Sequence, residues 1–287
     1  STVTPETFGA IADDGQDDGP ALQAAFDAAA AQPGSLVRLR VGVYDTWQPV
    51  RLGSETTLEG QGPTSVIRGR APGPAVLTTL DAGAEHVAIR RLRVTGARSP
   101  VFNQGGTCVA IHRTHYFLVE QIVVNDCEKY GIWATEVYPT GVVRPTAFGT
   151  IRHNTVYDAL VGIETTNSHD VLILENTVEL TAGHTEAGLH PNDGSRRIRL
   201  EANVVEGPSG MGIWVANASD VALVENRVRS CDYALVVGPS VFGWGHSNRI
   251  RATREDYWAV DTTAVRLEGC QHCQFEDAAI LAGIEIE

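Results

Sequence analysis

From residue 148 onward the chain repeats one pattern of apolar and polar positions. The stretches 169–180 (HDVLILENTVEL), 196–207 (RRIRLEANVVEG) and 219–230 (SDVALVENRVRS) each read apolar, any residue, apolar, a short spacer, Asn, any residue, Val. Looser copies occupy 148–159 and 245–252. The aligned asparagines are Asn154, Asn176, Asn203, Asn226 and Asn248, and Val156, Val178, Val205, Val228 or Ile250 follows each one two residues on. Subtracting successive positions gives steps of 22, 27, 23 and 22 residues. Two earlier segments put Leu92 and Ile122 at the Asn position, ahead of Val94 and Val124. Period-2 alternation broken by polar turns predicts short strands. Steps of this size fit one turn of a parallel β-solenoid, whose coils stack about 4.8 Å apart. The recurring Asn is expected in a turn, its amide bonding the backbone and its copies above and below.

The ends complete the picture. Segment 17–34 (DDGPALQAAFDAAAAQPG) predicts a helix with Asp18 or Gly19 as cap, Pro20 at its start and Gly34 as its stop. Its apolar face, Leu22, Ala25, Phe26 and Ala29, has helical spacing and suits a lid over the open end of a solenoid. The last residues, ILAGIEIE, alternate like a strand and carry no cap. Such an edge invites pairing, which leaves open a partner chain, such as a second copy, or a truncated end there. The expectation is one β-helix domain over residues 1–287, with the cap helix at about 17–34 and regular coils from about 84.

Composition narrows the partners. With 43% hydrophobic and 20% charged residues the chain can bury a core. A net charge of −13 with no basic block argues against nucleic acid or an anionic membrane surface, which need clustered Lys and Arg. No apolar run approaches the roughly 18 residues of a membrane span. The chain opens at Ser1, which leaves a removed leader open and the location undecided between secreted and cytoplasmic. Five cysteines, Cys108, Cys127, Cys231, Cys270 and Cys273, make an odd count. The CQHC at 270–273 has the spacing of a zinc or redox site but no second pair, so it reads as structural cysteines in a packed turn.

A second apolar signal follows each Asn-x-Val: Gly131-Ile132, Gly162-Ile163, Gly188-Leu189, Gly212-Ile213, Ala234-Leu235 and, more loosely, Ala264-Val265. If these apolar residues point inward, the next position points outward. That outward column reads Trp133, Glu164, His190, Trp214, Val236 and Arg266; two residues on it reads Thr135, Thr166, Asn192, Ala216, Gly238 and Glu268, with His112 one coil earlier. Glu164 and His190 then sit on adjacent coils, about 5 Å apart at the backbone, between two tryptophans. An imidazole beside a carboxylate suits acid–base work, with Glu164 orienting His190 and Asn192 stabilising a developing enolate. Asp193 is a further carboxylate candidate, although Asp193-Gly194 is also a turn signal. Trp133 and Trp214 are either platforms for sugar rings or packing beneath the 136–149 loop. His112, Thr166, Lys129, Tyr130 and Arg266 are the substrate-binding candidates, and Arg144 and His184 could reach the strip from flanking loops.

The segments FGAIADDGQDDGPALQAAFDAAA, VRLRVGVYDTW and TTLEGQGPTSVIRG, together with the Asn-bearing coils, resemble the right-handed parallel β-helix proteins of the pectate-lyase superfamily. The resemblance covers essentially the whole chain. It implies an all-β fold, a right-handed single-stranded parallel β-helix with an N-terminal capping α-helix. Alginate C5-epimerases of this fold carry Gly-Phe-Asp-Pro-His-Asp; Gly188-Leu189-His190-Pro191-Asn192-Asp193 is similar to it, with His for Asp and Asn for His. The Asp trio and Arg-Ile-Lys stretch of polygalacturonases are absent, as is the acidic cluster of calcium-dependent pectate lyases. No metal and no cofactor are expected.

The expected function is a lyase or C5-epimerase acting on a uronate-containing glycan by proton abstraction. The alternatives are an isomerase or cyclase acting on a smaller apolar metabolite, and a non-catalytic glycan-binding or structural β-helix.

Overall fold

The structure, a computed structural model, describes residues 1–79, 82–98, 105–136 and 145–237, the last segment with side chains to Val236 except at Ala234. Beyond these it describes the backbones of the strands Gly243–His246, Arg249–Val260, Val265–Arg266 and Cys273–Glu276. Every described strand pairs in parallel with its counterpart one coil away, giving a right-handed, single-stranded parallel β-helix.

Each coil has three faces. In one coil, Ser168–Leu174 forms the first face, Thr177–Glu179 the second and Ala187–Asn192 the third. Inward side chains form columns: Ile89, Val119, Ile151, Ile173 and Leu200 from the first face; Val94, Val124, Val156, Val178 and Val205 from the second; Ile132, Ile163, Leu189, Ile213 and Leu235 from the third. All are buried, and they form one continuous core. Stacking begins ahead of residue 84, since Thr2–Val3, Ser35–Arg38 and Thr56–Glu59 already lie in the first-face sheet.

The asparagines occupy the corner between the first and second faces. Asn176 Nδ2 donates to Ile151 O at 2.9 Å and to Asn203 Oδ1 at 3.0 Å, while Asn176 Oδ1 accepts from Asn154 N at 3.0 Å and Asn154 Nδ2 at 2.9 Å. The same scheme links Asn203 to Asn226. Ile122 N donates to Asn154 Oδ1, so the apolar residue does take the ladder position at this end. The residue before each rung adopts left-handed backbone, as at His153, Glu175 and Ala202. A bulky residue pays strain there; the ladder bonds offset it. Asn248 lies outside the described residues.

The glycines of the Gly-Ile signal have a packing reason. A Cβ on Gly162 would stand 2.5 Å from Val178 Cγ1 and 2.6 Å from Gly188 O, and Gly131 and Gly188 meet the next coil in the same way. The Val of each Asn-x-Val thus fills the space that the glycine leaves. Gly162→Ala is expected to cost about 1–3 kcal/mol by overpacking. The check is a lower urea midpoint at unchanged m-value.

The helix Gly19–Ala30 lids the N-terminal end, burying Leu22, Ala25, Phe26 and Ala29 as expected. It stops at Ala30, several residues before Gly34, and Asp18 makes no side-chain cap bond; Asp17 Oδ1 instead accepts from Gly19 N. Cys108 and Cys127 form a disulfide between neighbouring coils, and Cys231 is buried and reduced. The CQHC turn and the ILAGIEIE end lie outside the described residues, apart from Cys273 in its strand.

On the first face Arg197 grips Asp170 through two bonds of 2.7 Å, and His169 Nδ1 lies 2.6 Å from Asp170 Oδ2. The Arg197 guanidinium, with His169, holds the Asp170 carboxyl down to about 2. A depressed carboxyl pKa stabilises the fold above the unfolded value, near 3.9, and that contribution fades as pH falls from about 4 to about 2. Acid titration of stability should show a shallow loss in this window that Asp170→Asn removes.

Candidate active site

The third face carries the strip. Val123–Thr135 pairs with Ala159–Thr166, setting Trp133 beside Glu164 and Thr135 beside Thr166. Ala159–Thr166 pairs with Ala187–Asn192, setting Glu164 beside His190 and Thr166 beside Asn192. His112 pairs with Thr135 one coil earlier, and Trp214 pairs with Val236 one coil later. The structure therefore brings Trp133, Glu164, His190 and Trp214 together on consecutive rungs.

Arg266 does not join them. The strand Val265–Arg266 pairs with Gly243–His246 on the first face, and the residue opposite Val236 is Trp258. The expected register slipped because Ala264-Val265 mimics the Gly-Ile signal without the Asn-x-Val before it. Arg144, Gly238 and Glu268 lie outside the described residues.

Although both point outward from the core, Glu164 and His190 are each only 3% exposed. Aromatic rings pack along the strip. His190 lies flat on Trp214, with centroids 4.1 Å apart and planes 9° from parallel. Tyr130 packs on Trp133 at 4.5 Å, and His112 meets Trp133 edge-on at 5.9 Å. Tyr130, Val161 and Ala187 form a small outer apolar cluster with Trp133, Leu160, Met211 and Trp214 at its margin. One face of Trp214 is thus occupied by His190, which limits it as a sugar platform.

Within this strip Thr166, Glu164 and His190 are linked by hydrogen bonds. His190 Nδ1 lies 3.1 Å from Glu164 Oε2, and Glu164 Oε1 accepts from Thr166 Oγ1 at 2.7 Å. His190 Nε2 is buried with no hydrogen-bond partner. An unpaired buried polar atom costs roughly 1–3 kcal/mol, and a water or a ligand can supply the missing bond.

Lys129 and Tyr130 reach the strip through a register shift between Cys127 and Tyr130, next to the disulfide. Lys129 Nζ sits 4.5 Å above the Tyr130 ring centroid. Burial pushes the Lys129 ammonium below the ordinary lysine value, and the Glu164 and Glu186 carboxylates partly offset that shift. Asn192 Oδ1 accepts from Asp193 N at 2.8 Å. Asp193 is exposed in the turn, its Oδ1 bound to Asn217 Nδ2 at 2.9 Å. It makes no described contact with His190 or Glu164. His184 Nε2 lies 3.4 Å from Cys127 O, beside a cavity of about 180 Å³ lined also by Arg98, Asp126, Glu128 and Asp158. Among the described residues no group of three or more His, Cys, Asp or Glu could hold a metal ion.

Among the features that sequence reasoning missed are the disulfide, the proximity of Glu186 to Lys129, and Trp258 on the rung after Val236. Only the last had a signal, the alternation of DYWAV after Asn248-Arg249-Ile250.

The family model described as "Right handed beta helix region" matches residues 82–271. The chain belongs to this right-handed β-helix family. Among solved structures it is similar to the N-terminal fragment of bacteriophage phi29 gene product 12, with 17% identity, TM-score 0.68 and coverage of 96% of this chain and 57% of that one. It is also similar to the A-module of the Azotobacter vinelandii mannuronan C-5 epimerase AlgE6, with 17% identity, TM-score 0.64 and coverage of 96% and 88%. The third is the Thermotoga maritima exopolygalacturonase, with 15% identity, TM-score 0.67 and coverage of 97% and 86%. The chain spans about half the length of the phage proteins it matches. No curated protein matches it by sequence. At these identities the likeness is one of fold.

Proposed function

We propose that this β-helix is a carbohydrate-active enzyme that abstracts the C5 proton of a uronate residue, as a lyase or a C5-epimerase. The observation that carries the reading is the buried Glu164–His190 pair with His190 Nε2 left unpartnered. Nε2 takes the C5 proton, and the electron pair delocalises into the C6 carboxylate. Collapse with loss of the C4 oxygen, which leaves with a proton, gives a C4–C5 double bond; return of a proton to the opposite face gives the epimer. The Lys129 ammonium and the Asn192 amide are the groups for the carboxylate as charge builds on it.

Glycoside hydrolysis uses two facing carboxylates, whereas among the described residues the strip sets the Glu164 carboxylate against an imidazole. The similarity to proteins named as an epimerase and an exopolygalacturonase supports a glycan as substrate. The Cys108–Cys127 disulfide supports an oxidising compartment, hence secretion. The test is incubation with a panel of oligouronides and neutral oligosaccharides, read by NMR. The expected result is change confined to uronate residues, as unsaturated ends or inverted C5. Hydrolysis of neutral oligosaccharides, or no change to any of them, would remove this reading.

A further inference from the structure

Four side chains on the third face form one directed hydrogen-bond chain. Trp133 Nε1 donates to Thr166 Oγ1 at 3.0 Å, Thr166 Oγ1 donates to Glu164 Oε1 at 2.7 Å, and Glu164 Oε2 lies 3.1 Å from His190 Nδ1. Its direction is fixed at the indole end. An indole nitrogen only donates, so the Thr166 hydroxyl accepts there and turns its own proton toward the carboxylate. An ionised carboxylate only accepts, so in the neutral imidazole the proton sits on Nδ1. Nε2 is then the basic nitrogen, and it is the atom without a partner.

We propose that Trp133 and Thr166 are positioning residues that lock the tautomer of His190. The indole N–H orients the hydroxyl, the hydroxyl holds the Glu164 carboxylate in place, and the carboxylate keeps the imidazole proton on Nδ1. Stacking on Trp214 fixes the ring plane, so the Nε2 lone pair has one direction. The Trp133 N–H and the Thr166 hydroxyl are both used inside this chain, so neither reads the substrate; discrimination falls to Lys129 and Asn192. The catalytic consequence rests on the proton-abstraction reading above, whereas the tautomer does not.

The test is nitrogen-15 NMR of the histidine side chains of the whole protein, at a pH where the imidazole is neutral. Wild type, Thr166→Val, Thr166→Ser and Trp133→Phe are compared, with His190→Gln assigning the signal. Wild-type His190 should carry its proton on Nδ1, with Nε2 showing the signature of a bare ring nitrogen. Thr166→Val, nearly the same shape without the hydroxyl, should give a mixture of tautomers, and Thr166→Ser should restore the single form. Trp133→Phe should blur it too, and this variant carries the test if Thr166→Val fails to fold. On an oligouronide, Thr166→Val should lower kcat on the order of tenfold to a hundredfold with KM little changed. A wild-type His190 protonated on Nε2 would overturn the proposal, as would folded Thr166→Val and Trp133→Phe proteins with the wild-type tautomer. If the tautomers behave as stated while no uronate is turned over, the lock stands and the substrate reading falls.

Discussion

Asn176→Leu is expected to cost the fold about 3–5 kcal/mol, the largest loss of any single substitution considered for this scaffold. The side chains are similar in size, so the loss comes from hydrogen bonding. Asn176 uses its whole amide: Oδ1 accepts from Asn154 N and Asn154 Nδ2, and Nδ2 donates to Ile151 O and Asn203 Oδ1. Leucine leaves buried Asn154 N and Ile151 O without these partners, and water has no route to a site 1% exposed. Asn154→Leu, one coil earlier, should cost less. Asn154 Oδ1 accepts only from the backbone of Ile122, and an apolar residue already fills the rung above. Paired urea denaturation curves check the order. Equal costs below about 1 kcal/mol for both variants would mean that the ladder does not hold the coils in register.

Glu164→Gln and His190→Gln are each expected to slow uronate turnover by about 10²- to 10⁴-fold, because the base and the group that orients it act as one unit. Gln at 164 keeps the shape but replaces the charge facing Nδ1 with a neutral amide. The double variant should then be little slower than His190→Gln alone. Fully multiplicative losses, measured as kcat/KM on one oligouronide, would mean that the residues contribute independently and that the 3.1 Å contact is incidental. A Glu164→Gln protein with undiminished turnover would say the same.

The fold was legible because a β-helix writes its period directly into the chain. Asn-x-Val and Gly-Ile recur once per coil, and both motifs have a local cause: a saturated amide ladder at one corner, and a glycine whose missing Cβ makes room for the next coil's valine. The register of Glu164 against His190 followed from the same alignment and matches the pairing. Where the repeat thins, the register is not legible. Arg266 follows an apolar dipeptide with no Asn-x-Val before it, and its strand pairs on another face. Burial was harder to read than register. Alternation puts Glu164 and His190 outside the core, but it does not say that both are buried or that the Trp214 ring stacks on His190. The Trp133–Thr166 bond was equally hidden, since it joins neighbouring columns through rotamers that spacing does not encode. Asp193 has two readings from sequence, and the structure places it exposed in the turn with its carboxylate bonded to Asn217.

The most direct measurement follows the proton itself. An oligouronide carrying deuterium at C5 is incubated with wild type and with His190→Gln in ordinary water, and loss of the label is followed by NMR and mass spectrometry. Elimination and epimerisation both break the C5–H bond, so the assay does not depend on which occurs. The account predicts that wild type releases the label to water, more slowly than it consumes the unlabelled substrate, and that His190→Gln releases it at least about 10²-fold more slowly. Substrate conversion that leaves the C5 label in place, or release at the wild-type rate by His190→Gln, would contradict it.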